Sequence, residues 1–131
     1  LAFALSDFKN YIQDIKEKKA AYFIWKNPYM VAGKDTYINE LLKLNHFKNI
    51  YEDKGRYPEI ELKKMRLEGD PDIVFLSSEP YPFKEEDAFE IGRFTHHAKT
   101  IFVDGEMFSW HGSRLLKAFP YFKILHARLK N

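Results

Sequence analysis

Residues 20–25, Ala20-Ala21-Tyr22-Phe23-Ile24-Trp25, form an uninterrupted apolar run near the start of the chain. The run is short for a buried helix, and its aromatic and β-branched content is typical of a strand. Because odd and even positions are both apolar, the predicted strand is covered on both faces, as in a parallel sheet. This segment therefore indicates a sheet with helices on both sides.

Two further segments repeat this pattern. They are Asp72-Ile73-Val74-Phe75-Leu76 and Lys99-Thr100-Ile101-Phe102-Val103-Asp104. Each of the three predicted strands is followed by a long loop and then by a segment with helical periodicity. Strands that alternate with helices predict an α/β fold, here a three-layer α/β/α lobe with a mostly parallel sheet.

Helical periodicity marks the remaining segments. An opening helix carries Leu5, Phe8, Ile12 and Ile15 on one side and ends at Lys18-Lys19. Further helices are predicted after a cap at Asp35 or Thr36 (Ile38, Leu41, Leu42 and Leu44 inward), before Gly69 (Ile60, Leu62, Met65 and Leu67 inward), over 84–94, and after 105–112 (Leu115, Leu116, Phe119 and Leu125 inward). A short strand is predicted at 49–51, and Pro120 predicts a kink or a split in the last helix.

The composition excludes several classes of protein. Of the 131 residues, 45% are hydrophobic and 31% are charged, which fits neither a disordered chain nor a membrane-embedded one. Lys and Arg number 21 against 19 Asp and Glu, and this balance argues against nucleic-acid binding through counterion release. The absence of cysteine excludes a disulfide framework, a thiolate metal site and a cysteine nucleophile.

Aromatic residues make up 17% of the chain, and many of them fall in the predicted loops. In open α/β sheets, ligands bind outside the carboxyl ends of the strands, where such loops meet. Aromatic side chains in these loops indicate either a ligand surface or caps on the core. The candidate ligand-binding residues are Trp25, Tyr29, Met30, Arg56, Tyr57, Glu79, Tyr81, Glu106, Met107, Phe108 and Trp110. We expect Trp25, Tyr57 and Trp110 to surround one concave surface.

Signals for catalysis or metal binding are weak. Asp104, Glu106 and His111 offer an acid–base set after the third strand, but no nucleophile motif, phosphate loop or dinucleotide fingerprint accompanies them. His96 and His97 are neighbours that point apart on a helix or strand, whereas helical metal pairs lie three or four residues apart. The sequence thus predicts no catalytic residue, no metal site and no resident cofactor.

Four segments carry a resemblance to a known family. They are 25–36 (Trp25-Lys26-Asn27-Pro28-Tyr29-Met30-Val31-Ala32-Gly33-Lys34-Asp35-Thr36), 56–60 (Arg56-Tyr57-Pro58-Glu59-Ile60), 70–80 (Asp70-Pro71-Asp72-Ile73-Val74 with Ser77-Ser78-Glu79-Pro80) and 103–114 (Val103-Asp104-Gly105-Glu106-Met107-Phe108 with Gly112-Ser113-Arg114). In order and spacing they resemble periplasmic substrate-binding proteins of the cobalamin and ferric-siderophore type. The resemblance extends over about residues 20–119.

The resemblance implies a helical-backbone receptor with two α/β lobes joined by one long helix. This chain would supply the C-terminal lobe, with residues 1–18 as the end of the interlobe helix, residues 19–131 as the ligand-binding lobe, and the N-terminal lobe absent. Such proteins capture a ligand in the periplasm or another extracytoplasmic space and deliver it to the permease of an ABC transporter.

The resemblance also implies particular residues. In the cobalamin binders, ring-contacting residues match Met30, Tyr57, Glu106 and Trp110. The family commonly places a glutamate that meets permease arginines where this chain has Lys63, a departure that Glu59 or Glu61 could offset.

Three classes of function follow. The leading hypothesis is a non-enzymatic binding lobe for a corrinoid or similar flat ligand, with a ferric siderophore or another metal chelate as the rival cargo. The second class is a small α/β enzyme that uses Asp104, Glu106 and His111. The third is an interaction domain without a small ligand. An exposed aromatic edge also predicts self-association through the ligand face at high concentration.

Overall fold

The computed structural model describes residues 1–130, which form a single mixed sheet flanked by helices. The strands are Lys18–Trp25 (β1), Met30–Val31 (β2), Phe47–Asn49 (β3), Ile73–Ser77 (β4) and Lys99–Val103 (β5). The α-helices are Ala2–Ile12 (α1), Tyr37–Leu44 (α2), Met65–Glu68 (α3), Glu85–Gly92 (α4) and Leu115–Leu129 (α5). Within residues 1–130 no helix combines the length and the apolar character needed to cross a bilayer.

Strand β1 is the centre of the sheet. It pairs in parallel with β4 on one side, while on the other side it pairs in parallel with β3 and antiparallel with β2. Strand β4 then pairs in parallel with β5, which forms the opposite edge. The register places Tyr22 beside Phe75 and Phe75 beside Ile101, so one row of large apolar side chains crosses the sheet. The mostly parallel sheet confirms the α/β prediction.

The two faces of the sheet carry separate cores. Tyr22, Phe75 and Val103 face α1, α2 and α5, whereas Phe23 and Leu76 face α3 and α4. This alternation is the period-2 pattern of a strand buried on both sides. Residues 20–23 have no exposed surface, as the sequence predicted for the first strand. The three-layer α/β/α arrangement is therefore confirmed.

Two helices differ from the periodicity that predicted them. Helix α1 ends at Ile12, and Ile15 packs against the core from a loop, because the chain must turn before Lys18 enters the sheet. The segment before Gly69 is helical only from Leu62, first as a 3₁₀ turn and then as α3. There Leu67 is 90% exposed, so its predicted inward position is wrong.

The other differences are smaller. The short strand β3 lies two residues before the predicted 49–51. Helix α5 continues through Pro120, which lies on its exposed side. The missing backbone hydrogen bond costs about 3 kcal/mol, and the buried face that includes Phe119 and Phe122 outweighs it. The predicted split of this helix is therefore wrong.

His126 of α5 is a buried histidine in this core. Asn45 Nδ2 donates to Leu41 O, so Asn45 Oδ1 is the acceptor that faces the histidine. His126 Nε2 lies 3.1 Å from this oxygen, so the neutral imidazole carries its proton on Nε2 and donates it to Asn45. Its ring stacks on Phe47, with centroids 5.2 Å apart. Burial lowers the pKa of His126 to about 4, and the nearby positive charges of His46, Lys18 and Lys130 act in the same direction.

This depressed pKa predicts that stability falls as the pH is lowered from 7 to 5. The unfolded chain, with a histidine pKa near 6.5, takes up the proton before the folded chain does, so protons favour unfolding in this window. The cost at pH 5 is about 2 kcal/mol. His126→Gln should keep the donor to Asn45 and lose most of this pH dependence in urea unfolding at pH 7 and pH 5.

The matched control is His111→Gln at an exposed position, which should keep the pH dependence of the parent chain. A His126→Gln variant with the parent's full loss of stability at pH 5 would contradict the assignment.

Candidate functional site

A hollow of about 440 Å³ lies at the carboxyl edge of the sheet, above the ends of β1, β4 and β5. Its lining consists of Ile24, Ile38, Tyr57, Glu79, Pro80, Gly105 and Ser109. We call this hollow, with the rim formed by Glu79 and the neighbouring carboxylates of Asp104 and Glu106, the groove. Its position is the one that parallel sheets generally use for ligands.

Tyr57 is held on one side of the groove by backbone bonds along the hairpin of β1 and β2. Val31 N donates to Pro58 O, and Ile60 N donates to Tyr29 O, at 3.1 and 3.0 Å. At the residue before Tyr57 in the sequence, Arg56 O accepts from Gly33 N at 2.6 Å. The ring is 41% exposed although its backbone is fixed at both ends. It therefore offers a preorganised flat surface.

Gly33 also leads into the cap of α2. Thr36 Oγ1 donates to Gly33 O and accepts from Asn39 N, so Thr36 rather than Asp35 is the N-cap. This cap fixes the start of the helix that carries Ile38 into the groove.

Two serines fix the opposite wall of the groove. Ser77 Oγ accepts from Tyr22 OH at 3.3 Å and donates to Glu79 O at 2.7 Å. Ser78 Oγ accepts from Gly105 N at 3.0 Å, which joins the loop after β4 to the loop after β5. A Cβ at position 105 would collide with Ser77 Oγ and the Glu79 side chain, so this close approach requires glycine.

Three carboxylates lie together at this wall. Oxygens of Glu79, Asp104 and Glu106 lie within 4.8 Å of one another, and Arg114 approaches Glu106 at 3.5 Å from the exposed side. Asp104 Oδ1 also accepts from Glu106 N at 2.9 Å. Among the described residues this set has the spacing to share a cation, but two members are exposed and solvent screens their repulsion. The chemical consequence is a negative rim.

Comparison with known proteins bears on this arrangement. Searches of protein-family models and of curated proteins found no match. Among solved structures, the chain superposes on the periplasmic heme-binding protein BhuT with two hemes (TM-score 0.77, 14% identity) and on a possible iron-binding, periplasmic solute-binding protein from Staphylococcus epidermidis (0.73, 20%). It also superposes on the periplasmic vitamin B12 binding protein BtuF of Vibrio cholerae (0.68, 15%).

These matches cover 98%, 90% and 94% of this chain but 52%, 48% and 51% of those chains, in the same order. The chain thus spans about half the length of the structures that it matches. It has the fold of one lobe of a periplasmic solute-binding protein.

The lobe fold separates the predicted aromatic residues into two groups. Phe108 is fully buried against Tyr22 and Phe122, and Trp110 is 9% exposed and belongs to the same core. Trp25 and Tyr57 are exposed. Of the three aromatic residues expected around one concave surface, Tyr57 lines the groove, Trp25 packs against Tyr81 outside the groove lining, and Trp110 lies in the core.

The remaining candidates are not among the residues that line the groove. Tyr81 packs against Trp25 with ring centroids 5.8 Å apart, while Met30 pairs with Trp25 in the hairpin. Met107 packs on the core, and Arg56 is exposed with a φ of 44°.

Tyr29 faces away from the groove. Its hydroxyl donates to Glu90 of α4 at 2.9 Å, and burial together with this bond raises the pKa of Tyr29.

An ion pair connects the hairpin of β1 and β2 to α4. Lys26 Nζ lies 2.6 Å from Asp87 Oδ1, and Asp87 is 1% exposed. Asp87 Oδ2 also accepts from Lys84 N at the start of α4. Burial alone would raise the pKa of Asp87, but the Lys26 ammonium and the Lys84 N–H lower it. The pair anchors the hairpin to α4, and breaking it would leave a buried charge unpaired.

The acid–base set suggested by the sequence is not assembled. His111 makes a ring contact with Tyr37, with centroids 5.6 Å apart, and its Nδ1 lies 3.5 Å from Ser109 O. In residues 1–130 it makes no hydrogen bond to Asp104 or Glu106: Glu106 N donates to Asp104, and Arg114 donates to Glu106.

The sequence analysis missed Ile24, Ile38, Pro80, Gly105 and Ser109 as lining residues. The spacing predicts Ile38 as an inward helical residue, and its position two residues after the Thr36 cap, in the first turn of α2, is the signal that could have placed it near the edge. Ser109 carries no such signal, since only the folded loop brings it to the groove.

Trp110 provides a test of the division between core and groove. Trp110→Ala should lower the free energy of unfolding by about 3 kcal/mol, because it leaves a cavity beneath Arg114. Trp110→Phe should lose much less, since Trp110 Nε1 is buried without a hydrogen-bond partner in the described chain. Trp25→Ala, at a 39% exposed position, is the control and should lose less than about 1 kcal/mol. Equal stabilities of Trp110→Ala and the parent in guanidinium unfolding would contradict this division.

Proposed function

We propose that this chain is the C-terminal, ligand-binding lobe of a substrate-binding protein for an ABC importer. The supporting observation is the preorganised groove at the carboxyl edge of a sheet whose fold matches one lobe of periplasmic binding proteins. The lobe captures a large, flat, partly apolar metal chelate of the corrinoid class. It works outside the cytoplasmic membrane and delivers its ligand to a permease.

The chemistry of the groove supports a flat ligand. Ile24, Ile38 and Pro80 supply apolar surface, and Tyr57 adds an aromatic face. Aromatic rings give contact area at a low cost in side-chain entropy. Glu79 and Ser109 supply polar groups at the rim that orient a ligand. Structures of this fold include proteins named for vitamin B12 and heme, both flat metal macrocycles.

The openness of the site supports a two-lobed receptor. The groove is open to solvent at the carboxyl edge of the sheet, and the matching structures are about twice as long as this chain. A ligand held between two lobes draws its contacts from both. This lobe alone therefore supplies one wall, and α1, within residues 1–18, leads into it as the end of the interlobe helix.

Ferric siderophores are the rival cargo, since a possible iron-binding protein shares this fold. The three carboxylates at the rim favour neutral or cationic chelates over anionic catecholates. An enzymatic role receives less support, because His111 is turned toward Tyr37.

The isolated lobe should bind cobalamin weakly. An intact receptor that binds at ~10 nM draws its contacts from both lobes. One lobe makes about half of these contacts but still bears most of the entropic cost of immobilising the ligand, so its dissociation constant should be on the order of 0.1–10 mM. Tyr57→Ala should weaken binding about fivefold or more. Tryptophan fluorescence and visible absorbance report the titration.

The control for Tyr57→Ala is Phe3→Ala, an 87% exposed ring on α1, which should leave binding unchanged. Nanomolar affinity of the lobe alone would contradict the half-site. No saturable binding of cobalamin, heme or a ferric chelate would contradict the proposed function.

The rim charge should determine which chelates bind. Glu79→Gln with Glu106→Gln should tighten binding of an anionic ferric tris-catecholate about threefold to tenfold, because repulsion at the rim is removed. Binding of neutral cobalamin should change less than about twofold, and the gain for the catecholate should shrink at high salt.

Glu85→Gln with Glu86→Gln on the exposed surface of α4 is the control for the same change of two in net charge. Equal effects of the rim and control substitutions on the catecholate would show that the rim does not select charge.

A further inference from the structure

Strand β5 leaves one side of the sheet open. It pairs only with β4 among the strands of residues 1–130, and its register runs from Lys99 opposite Ile73 to Val103 opposite Ser77. Lys99 N donates to Asp72 O and Ser78 N donates to Val103 O, so the odd positions direct their backbone groups toward β4. In a parallel ladder the even positions, Thr100 and Phe102, point theirs outward.

The open edge has a definite length. The next outward N–H, that of Asp104, donates to Tyr121 OH at 2.8 Å, so helix α5 closes the edge at that residue. No hydrogen bond joins the outward groups of Thr100 and Phe102 to any part of the described chain. Lys99 and Asp104 flank the open edge, but residues 100–103 between them contain no proline or charge and the pairing with β4 has no bulge, so nothing within this short stretch blocks an added strand.

An apolar side chain and a hollow lie beside this edge on the same face of the sheet. Phe102 is 39% exposed and points to the side of α4. Ala88, Phe89, Gly92 and Arg93 of α4 and its end surround an open hollow of about 410 Å³, and Phe89 is 81% exposed. Gly92 places this hollow at Thr100, since a Cβ there would lie 3.8 Å from Thr100 Oγ1.

We propose that β5 pairs antiparallel with β5 of a second copy of this chain. Because only Thr100 and Phe102 offer outward groups, the two-fold pairing sets Thr100 opposite the partner's Phe102, with Ile101 on the axis. Four backbone hydrogen bonds form, two at each Thr100–Phe102 pair.

The same register fits the side chains. It places the Phe102 ring of each copy next to the other copy's Thr100, and therefore at the hollow beside Gly92. The edge is thus self-complementary: each copy supplies both a ring and a hollow. This complementarity is what selects a second copy over an unrelated extended segment, and it is independent of the proposed ligand.

The experiment measures mass by sedimentation equilibrium over 0.01–1 mM chain. Because a ladder of this length buries little area, half-dimerisation is expected at ~0.1 mM, with the average mass rising toward twice the 15.6 kDa of one chain. Phe102→Lys should raise the dissociation constant ~10-fold or more. Thr100→Glu combined with Phe102→Lys should restore dimerisation, because the register pairs each glutamate with the partner's lysine.

Phe3→Lys, at an 87% exposed ring on α1, is the control and should leave the mass unchanged. Should Phe102→Lys fail to fold, backbone hydrogen exchange of the parent decides: the Thr100 and Phe102 amides should become slower as concentration rises. A monomer at all concentrations overturns the proposal, as do exchange rates independent of concentration. A double variant that stays monomeric also overturns it. Loss of association in Tyr57→Ala but not in Phe102→Lys would place the contact at the groove and overturn it as well.

Discussion

Burial of the central strands on both faces determines where this molecule can carry function. Residues 20–23 of β1 and residues 74–76 of β4 have no exposed surface. A charged or unpaired polar group at these positions would cost several kcal/mol, and none of these seven residues carries one. The first polar side chain along β4 is Ser77, and it is admitted because Tyr22 and Glu79 satisfy its hydroxyl. Polar side chains that could contact a ligand therefore lie at the carboxyl ends of these strands and in the loops that follow.

The same constraint explains the division among the loop aromatics. A loop that follows a doubly buried strand must also close the end of the core, and Phe83 and Phe108 do so on opposite faces of the sheet. Their burial fixes the loops without a ligand. The fixed loops then hold Glu79 and Glu106 at the surface, while backbone bonds to the hairpin of β1 and β2 hold the exposed Tyr57 beside them. Stability and recognition are therefore assigned to different rings of neighbouring loops.

The sequence predicts the strands better than the positions of the loop side chains. A strand buried on both faces leaves a continuous apolar run, and each of the three runs is a strand. An aromatic residue in a loop leaves no comparable signal: Phe108 and Tyr57 both lie in loops, yet Phe108 is fully buried and Tyr57 is exposed. Leu67 shows the same limit for helices, since its spacing fits an inward face that a single turn of helix after a 3₁₀ turn does not present. Those outcomes depend on tertiary packing.

Strand β5 contributes to two surfaces, the groove and the open edge of the sheet, and one hydrogen bond marks the boundary between them. Its carboxyl end leads into Asp104 and Gly105 at the groove, while its middle residues form the open edge. Tyr121 takes the Asp104 N–H at the boundary between them, so a strand added at the edge has no partner beyond Phe102. The loop after β5 is therefore held by α5 and by Ser78 rather than by the edge. Pairing at the edge can then occur without moving the carboxylates at the rim, which leaves the groove the same in one copy or two.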